Sequence, residues 1–238
     1  MGCSWHLLIG LSLRHGGVYE TRGDSVIERL EKWLEAHLPE VRRDLAPGCS
    51  DAAIEEFESL VGRPFPESLK QLYRLHDGQH GAANSGPFYG LSFLSLAAAK
   101  AHWESWKDII DEWSPEEMTE ASAFCTSGNS GAIQALYANR YWIPFAFDYG
   151  GNHLGVDLDP GERGTLGQVI NFGSDEEDKY VVGRSVDEFM EWLVDQLESG
   201  NFAIREEDDG WRSLNTKEPE MLHFLDAVPI LFGAQSVR

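Results

Sequence analysis

The sequence has few cysteines and few basic residues. Its three cysteines, Cys3, Cys49 and Cys125, lie far apart, so neither a disulfide framework nor a zinc knuckle is predicted, and a reducing cytoplasm is the expected location. Lysine and arginine number 19 against 40 aspartates and glutamates, which gives a formal net charge of −21. Such a surface repels phosphate backbones and anionic lipid faces, so we expect no direct contact with nucleic acid or membrane. The same field attracts a basic protein partner.

Long apolar runs and common catalytic motifs are also missing. No stretch approaches the ~20 apolar residues of a membrane helix. The apolar residues 5–13 have no basic stretch before them and no small-x-small cleavage site after them, which argues against a secretory signal. Residues 1–24 are therefore interpreted as a leader without a clear structural period. The G-x-S-x-G motif of serine hydrolases does not occur, so the sequence gives no local signature of a serine nucleophile.

What is present is enough apolar material for a packed core. Apolar residues make up 42% of the chain and aromatic residues 11%, with eight tryptophans, a composition typical of one globular domain. A capping box from Ser25 to Glu28 opens the first predicted helix. A second helix begins near Ser50, and a third follows Pro66 and ends at Gly78. Later stripes at helical spacing predict two more core helices, with Trp103, Trp106, Ile110 and Trp113 in one and Val186, Phe189 and Leu197 in the other.

The strands are predicted in the middle of the chain. Phe88 to Leu94 is a short strand, and residues 141–147, 153–157 and 167–172 form an antiparallel meander, with a local bulge at Pro144. Residues 114–132 are expected to be a long loop, and a last helix is expected around residues 218–227. Helices before and after an antiparallel meander, without repeated βαβ units, predict an α+β fold.

Two segments resemble the SMI1/KNR4 (SUKH) family. The first, residues 65–79, reads FPESLKQLYRLHDGQ, and the second, residues 142–159, reads WIPFAFDYGGNHLGVDLD and continues with GQVI at 167–170. The motif residues that this resemblance marks as structural are Pro66, Leu69, Leu72, Tyr73, His76, Asp77, Gly78, Trp142, Pro144, Phe145, Asp148, Gly150, Gly151 and Asn152.

The resemblance implies a twisted, largely antiparallel sheet with flanking helices. It places the family domain at residues 25–199, with a Trp-rich acidic insertion near 97–132 and a C-terminal extension at 200–238. Many bacterial members are immunity proteins, and fungal members are associated with cell-wall regulation. By analogy with the bacterial branch, we predict a cytoplasmic, non-enzymatic antitoxin that binds a basic cognate toxin, possibly a nuclease, and needs no cofactor. The alternative is a regulatory or scaffold protein without a toxin partner.

A metal-dependent hydrolase is the enzymatic alternative. His76 and His80 stand four residues apart, and Asp157 and Asp159 share one face of a predicted strand. Gly78 ends the helix between the two histidines, however, and the glutamate of an H-E-x-x-H site is absent. The structural interpretation of these four residues is therefore preferred.

Acidic side chains are the predicted contacts for a basic partner. Most of them stand in two runs, and a pair on the second motif adds to them. The predicted partner-binding residues are Asp157, Asp159, Asp175, Glu176, Glu177, Asp178, Glu206, Glu207, Asp208 and Asp209.

Overall fold

The computed structural model describes residues 24–206, 212–220 and 222–233. Except for Asp24, the predicted leader lies outside the described residues. Glu207, Asp208 and Asp209, which were predicted to contact a partner, lie outside them as well.

The described residues form an α+β fold, as predicted from the sequence. The helices are α1 (Val26–His37), α2 (Pro39–Asp44), α3 (Asp51–Val61), α4 (Glu67–Leu75), α5 (Leu96–Glu112), α6 (Pro115–Ser122), α7 (Val186–Glu198) and α8 (Phe224–Phe232). The strands are β1 (Ser92–Phe93), β2 (Thr126–Ser127), β3 (Trp142–Phe147), β4 (Asn152–Asp157), β5 (Gln168–Gly173), β6 (Asp178–Lys179), β7 (Val181–Gly183), β8 (Ala203–Glu206) and β9 (Arg212–Asn215).

The central sheet has five strands in the order β1-β3-β4-β5-β7, and every neighbouring pair is antiparallel. The predicted meander is its middle, β3-β4-β5. The register of β3 against β4 shifts between Pro144 and Ala146, which confirms the predicted bulge, because proline cannot donate a ladder hydrogen bond. The strand expected over residues 88–94 is shorter than predicted, since β1 comprises Ser92 and Phe93.

Helix ends follow local signals where such signals are strong. The Ser25 hydroxyl accepts from the Glu28 backbone N–H, and the Glu28 carboxylate accepts from the Ser25 backbone N–H, as the capping box predicts. Pro39 lies just after the end of α1 and opens α2, because a proline is well tolerated at the first position of a helix.

The segment predicted as a loop at residues 114–132 contains α6 and β2. Ser114 and Glu117 form a second capping box, and Pro115 occupies the first turn of α6, a start signal that the polar composition obscured. β2 pairs in parallel with β6 and brings Thr126 opposite Asp178. This pairing joins the acidic insertion to the segment between β5 and β7.

Both faces of the sheet are covered. Leu154 and Val156 face a core built with α1, α3, α4 and α7. On the opposite face, Trp142, Ile170 and Phe172 pack against Ile133 in a second apolar cluster, with Trp106 of α5 at its edge. The tryptophan stripe of α5 thus packs inward, as expected from its spacing. Polar side chains on this second face are buried beneath α5 and residues 132–136.

The described residues of the C-terminal extension pack on the same domain. The Tyr89 ring stacks on Phe224 with 5.4 Å between centroids, and the Trp192 and Phe232 rings lie 4.8 Å apart. The Tyr89 hydroxyl donates to the Asn201 carbonyl oxygen at 2.6 Å. The last helix, α8, begins several residues after the predicted position because its apolar face, rather than the polar segment before it, is buried. Within the described residues, no helix combines the length and apolar character that crossing a membrane requires.

Candidate functional site

The first family motif ends in a tight corner after α4. Gly78 has φ of +71°, and a Cβ at this position would lie 2.2 Å from the backbone nitrogen of Ser95, so only glycine fits. The Asp77 carboxylate accepts from the Leu96 backbone N–H at 2.6 Å and fixes the start of α5. The His76 ring contacts the Ala46 carbonyl oxygen at 3.0 Å. These residues make contacts within the domain, and their structural role stays a prediction.

The loop that follows this corner is held by two polar side chains. The Gln79 side-chain amide donates to Asp44 Oδ2 at 3.1 Å and to the Ser85 carbonyl oxygen at 3.0 Å. The buried Asp44 carboxylate also accepts from the backbone N–H groups of Gly81 and Ala82, at 3.2 and 2.9 Å. Asp44 was not singled out from the sequence, because its partners lie more than thirty residues away. Residues 79–85 are consequently fixed in place.

The second family motif builds the turn between β3 and β4. Asp148 Oδ1 accepts from the backbone N–H groups of Gly150 and Asn152, at 2.6 and 2.9 Å, and Oδ2 accepts from the Asn152 side chain at 2.8 Å. Tyr149, between them, adopts φ of +64° and leaves its ring 63% exposed. A bulky residue rarely adopts this backbone conformation, and such strain is concentrated at functional positions.

The fixed loop and the motif turn enclose a recess of about 520 Å³. Its third wall comes from β9, whose Leu214 carbonyl oxygen lies against Gly90. A Cβ on Gly90 would be 2.8 Å from that oxygen, and the residue has φ of +89°, so glycine is needed for the hairpin to approach. The lining residues are Gly81, Ala83, Asn84, Ser85, Gly90, Asp148, Tyr149, Ser213, Leu214, Asn215 and His223.

The lining of the recess combines apolar, polar and aromatic groups. Ala83 and Leu214 are buried apolar residues of its lining, and Asn84, Asn215 and the Tyr149 ring supply polar and aromatic groups. The carboxylate of Asp148 is already committed to its own turn. Within the described lining, no nucleophile is paired with a general base, as acyl or glycosyl transfer would require.

Asp157 does not belong to any exposed site. It is completely buried, and its oxygens accept from the Asp159 backbone N–H and the Gln168 side chain, both at 2.9 Å. Burial raises the pKa of Asp157 to about 6. The predicted partner contact at Asp157 is thus corrected, because residues 132–136 cover this face of the sheet and the side chain offers no surface to a partner.

The remaining predicted acidic residues are dispersed. Asp159 is half-buried and accepts from the side chains of Arg63, Gln134 and Asn139. Asp175, Glu177, Asp178 and Glu206 are exposed. Glu176 is partly buried against Asn171, and burial raises its pKa to about 7.

One of these runs starts beside the motif turn. The Asp175 backbone N–H donates to Asn152 Oδ1 at 3.0 Å, so the exposed acidic side chains after it begin next to the turn that carries Tyr149. This acidic run therefore adjoins the recess, whose described lining contains the carboxylate of Asp148.

The four residues of the hydrolase alternative do not form a common site. His76 contacts Glu31 at 2.6 Å, Asp157 is bound by Gln168 and Asp159 by Arg63. His80 follows the end of α4 and is exposed. In the part of the chain that is described, no three histidine, cysteine, aspartate or glutamate side chains gather as metal ligands would.

Comparisons with known proteins agree with the fold. The family model described as SMI1 / KNR4 family (SUKH-1) matches residues 48–192, which is more than half of the chain. The glucan synthesis regulatory protein of Neurospora crassa is 31% identical over 224 residues, which cover 82% of this chain and 42% of that protein.

Two further relatives are also named as regulators. The cell wall biosynthesis/cell cycle regulator smi1 of Schizosaccharomyces pombe is 29% identical, with 83% of this chain and 40% of that protein covered. The cell wall assembly regulator SMI1 of Saccharomyces cerevisiae is 27% identical, with 77% and 42% covered. The chain thus spans about two fifths of the length of these relatives.

These names bear on the prediction made by analogy with the bacterial branch. All three relatives are fungal regulators and none is named as an immunity protein, so they favour the regulatory alternative over the antitoxin. Together with the five-stranded antiparallel sheet and the two motifs, the comparisons show that the chain belongs to the SMI1/KNR4 family (SUKH-1).

Proposed function

We propose that this chain is a non-enzymatic regulatory module that acts by binding a partner protein. The regulated process is proposed to concern the cell wall, as in the names of its relatives. The observation that carries the proposal is the recess between the two family motifs. The loop after the first motif and the turn of the second, with Tyr149 at its tip, supply two of its walls. The two family motifs, whose side chains cap helices and form turns, thus lie next to the same recess.

The preformed state of the recess supports binding. Asp44 and Gln79 hold one wall through hydrogen bonds, and Asp148 holds the other. A site whose walls are already ordered loses little conformational entropy when a partner docks. Such order favours recognition of a defined segment over loose, adaptable contact.

The charge of the chain supports a basic partner. A formal net charge of −21 accelerates encounter with a positively charged surface and suppresses encounter with an acidic one. Asp175, whose backbone N–H donates to Asn152, is exposed, and so are Glu177 and Asp178 after it. The proposal includes a cytoplasmic location, in keeping with the free thiols of Cys49 and Cys125. The names of the relatives do not support toxin neutralisation, which is therefore not proposed.

A chimera tests this function. The segment of the Saccharomyces cerevisiae relative that aligns with this chain is replaced by it, and growth of cells lacking that relative is scored on medium that perturbs the cell wall. The chimera is expected to restore growth, and a Tyr149→Ala chimera is expected to fail at equal protein level. Leu166→Ala is the matched control, since Leu166 is 68% exposed and outside the recess.

Two results would contradict the proposal. One is a wild-type chimera that accumulates normally and restores no growth. The other is a Tyr149→Ala chimera that restores growth as fully as the wild-type chimera, since the recess would then play no part in the function.

A further inference from the structure

The recess also indicates what kind of segment it binds. We propose, on the basis of the function proposed above, that it takes a tyrosine or tryptophan side chain of a partner peptide whose neighbouring residues are lysine or arginine. Three independent features lead to this ligand class: the apolar and aromatic lining, an unpaired buried hydroxyl group, and the sign of the surrounding charge.

The lining suits a large flat side chain. Leu214 and Ala83 belong to the lining, although both are almost wholly buried, and the exposed Tyr149 ring offers a face on which another ring stacks. A volume of about 520 Å³ accommodates an aromatic side chain together with part of the peptide backbone beside it. Small aliphatic side chains would leave much of this volume unfilled and would gain less from burial.

A hydrogen-bonding atom is required in addition to the ring. Ser85 lines the recess and is 7% exposed, and its hydroxyl oxygen has no hydrogen-bond partner among the described residues. Buried hydroxyl groups are nearly always paired. The Ser85 oxygen is itself buried, so it pairs with a ligand once the side chain turns toward the recess. A hydroxyl group both donates and accepts. It therefore matches the phenol of tyrosine or the indole N–H of tryptophan, and leaves phenylalanine without the added bond.

Charge selects the residues on either side of the ring. Neither lysine nor arginine belongs to the described lining, and Asp148 is its carboxylate. Asp175, which adjoins the same turn, begins the exposed acidic run. An acidic or phosphorylated segment would meet like charge here, whereas a basic segment would meet opposite charge.

The third wall is the part of the recess that lies outside the stretch matched by the family model. Ser213, Leu214 and Asn215 of β9, and also His223, lie beyond residues 48–192 that match the family model. Relatives that share the two motifs can therefore share the ring-binding walls while differing in this one. The β9 wall is therefore expected to decide which basic aromatic peptides the recess prefers.

The experiment uses the full chain and dye-labelled nonapeptides in fluorescence anisotropy titrations. A central tyrosine, tryptophan, phenylalanine or alanine is flanked by two lysines on each side, and a second tyrosine peptide carries glutamates in their place. The tyrosine and tryptophan peptides are expected to bind at least tenfold more tightly than the phenylalanine peptide. The alanine and glutamate-flanked peptides are expected to show no saturable binding.

Variants separate the two contacts. Ser85→Ala is expected to bring the tyrosine peptide to the affinity of the phenylalanine peptide, and Tyr149→Ala is expected to weaken all aromatic peptides alike. Leu166→Ala is the control and is expected to change neither. Urea unfolding of each variant verifies that the fold is retained.

Several outcomes would overturn this ligand class. These are equal binding of the phenylalanine and tyrosine peptides by the wild-type chain, tighter binding of the glutamate-flanked peptide, or no binding of any aromatic peptide. If the Tyr149→Ala chimera still fails to restore growth in those cases, the recess remains a functional site for another ligand and only the ligand class is wrong. Failure of the wild-type chimera contradicts the function itself.

Discussion

The imidazole rings of His102 and His153 meet across the interface between α5 and β4, with 3.0 Å between His102 Nδ1 and His153 Nε2. His153 is 2% exposed. Its ring stacks between Phe147 and Phe172, at centroid distances of 5.1 and 5.3 Å. Burial, reinforced by His102, lowers the pKa of His153 to about 3. The ring is therefore neutral in the folded state wherever the protein is stable.

His153 should make the domain sensitive to acid. The unfolded chain binds a proton at this histidine near pH 6.5 and the folded chain only near pH 3, so the unfolded state holds more protons between these values and stability falls as pH falls through them. Urea unfolding of wild type should show this decline, worth up to ~5 kcal/mol for the whole span. In His153→Phe the decline should be shallower.

His80→Gln is the control for this prediction, because His80 is exposed. It should reproduce the wild-type decline. If His153→Phe, folded and measured over the same pH range, keeps the wild-type slope, the neutral buried state assigned to His153 is wrong.

Glu176 should act in the opposite direction. Its pKa in the folded state, about 7, lies above the ordinary value of 4.5, so the folded state holds the extra proton and stability falls as pH rises from 4.5 to 7. Glu176→Gln removes this ionisation. Relative to wild type, the variant should gain stability between pH 5 and pH 8, by up to ~3 kcal/mol.

The exposed neighbour Glu177 provides the matched control. Glu177→Gln should follow the wild-type pH profile in urea unfolding. A difference between Glu176→Gln and wild type that is the same at pH 5 and pH 8 would show that Glu176 is ionised normally.

Local signals in the sequence were sufficient for much of the fold. The capping box at Ser25 and the turn after Asp148 are both decided by residues within four positions of each other. The same holds for the bulge at Pro144. Such features depend on backbone sterics and short-range hydrogen bonds, which a sequence displays directly. The helix α4, in contrast, ends at Leu75, before the stop predicted at Gly78.

The candidate site could not be predicted to the same extent, because its parts are distant in the chain. Asp157 alternates with core residues and therefore seemed to face solvent, but residues 132–136 cover that face. Asp44 acts on a loop some 37 residues away. The wall supplied by Leu214 comes from the extension. Long-range packing decides these placements, and no short-range pattern encodes it.

Asp44 should couple stability to binding. Asp44→Ala removes the acceptor of the Gly81 and Ala82 backbone N–H groups and of the Gln79 side chain. The free energy of unfolding should fall by about 2 kcal/mol, since hydrogen bonds to a charged group are lost, and the tyrosine peptide should bind more weakly. Asp51→Ala, which removes an exposed partner of Arg74, should cost less than ~1 kcal/mol and leave binding unchanged. If folded Asp44→Ala binds the peptide as tightly as wild type, the loop that Asp44 holds is not needed for binding in the recess.

The C-terminal extension should contribute strongly to stability. Phe224 is fully buried and stacks on Tyr89, so Phe224→Ala should lower the free energy of unfolding by about 3 kcal/mol or more. Ile230 lies on the same helix but is 59% exposed, and Ile230→Ala should change stability by less than ~0.5 kcal/mol. Both are measured by urea unfolding. Equal effects of the two variants would mean that α8 is not docked through Phe224.

Tyr149 should separate stability from function. Its φ of +64° is costly for a residue with a Cβ and free for glycine, so Tyr149→Gly should leave the free energy of unfolding unchanged or raise it by up to ~1 kcal/mol. The same variant should lose binding of the tyrosine peptide, because the exposed ring at the mouth of the recess is gone. If Tyr149→Gly were markedly less stable than wild type, the ring would instead be holding the fold through Phe147, whose centroid lies 5.2 Å away.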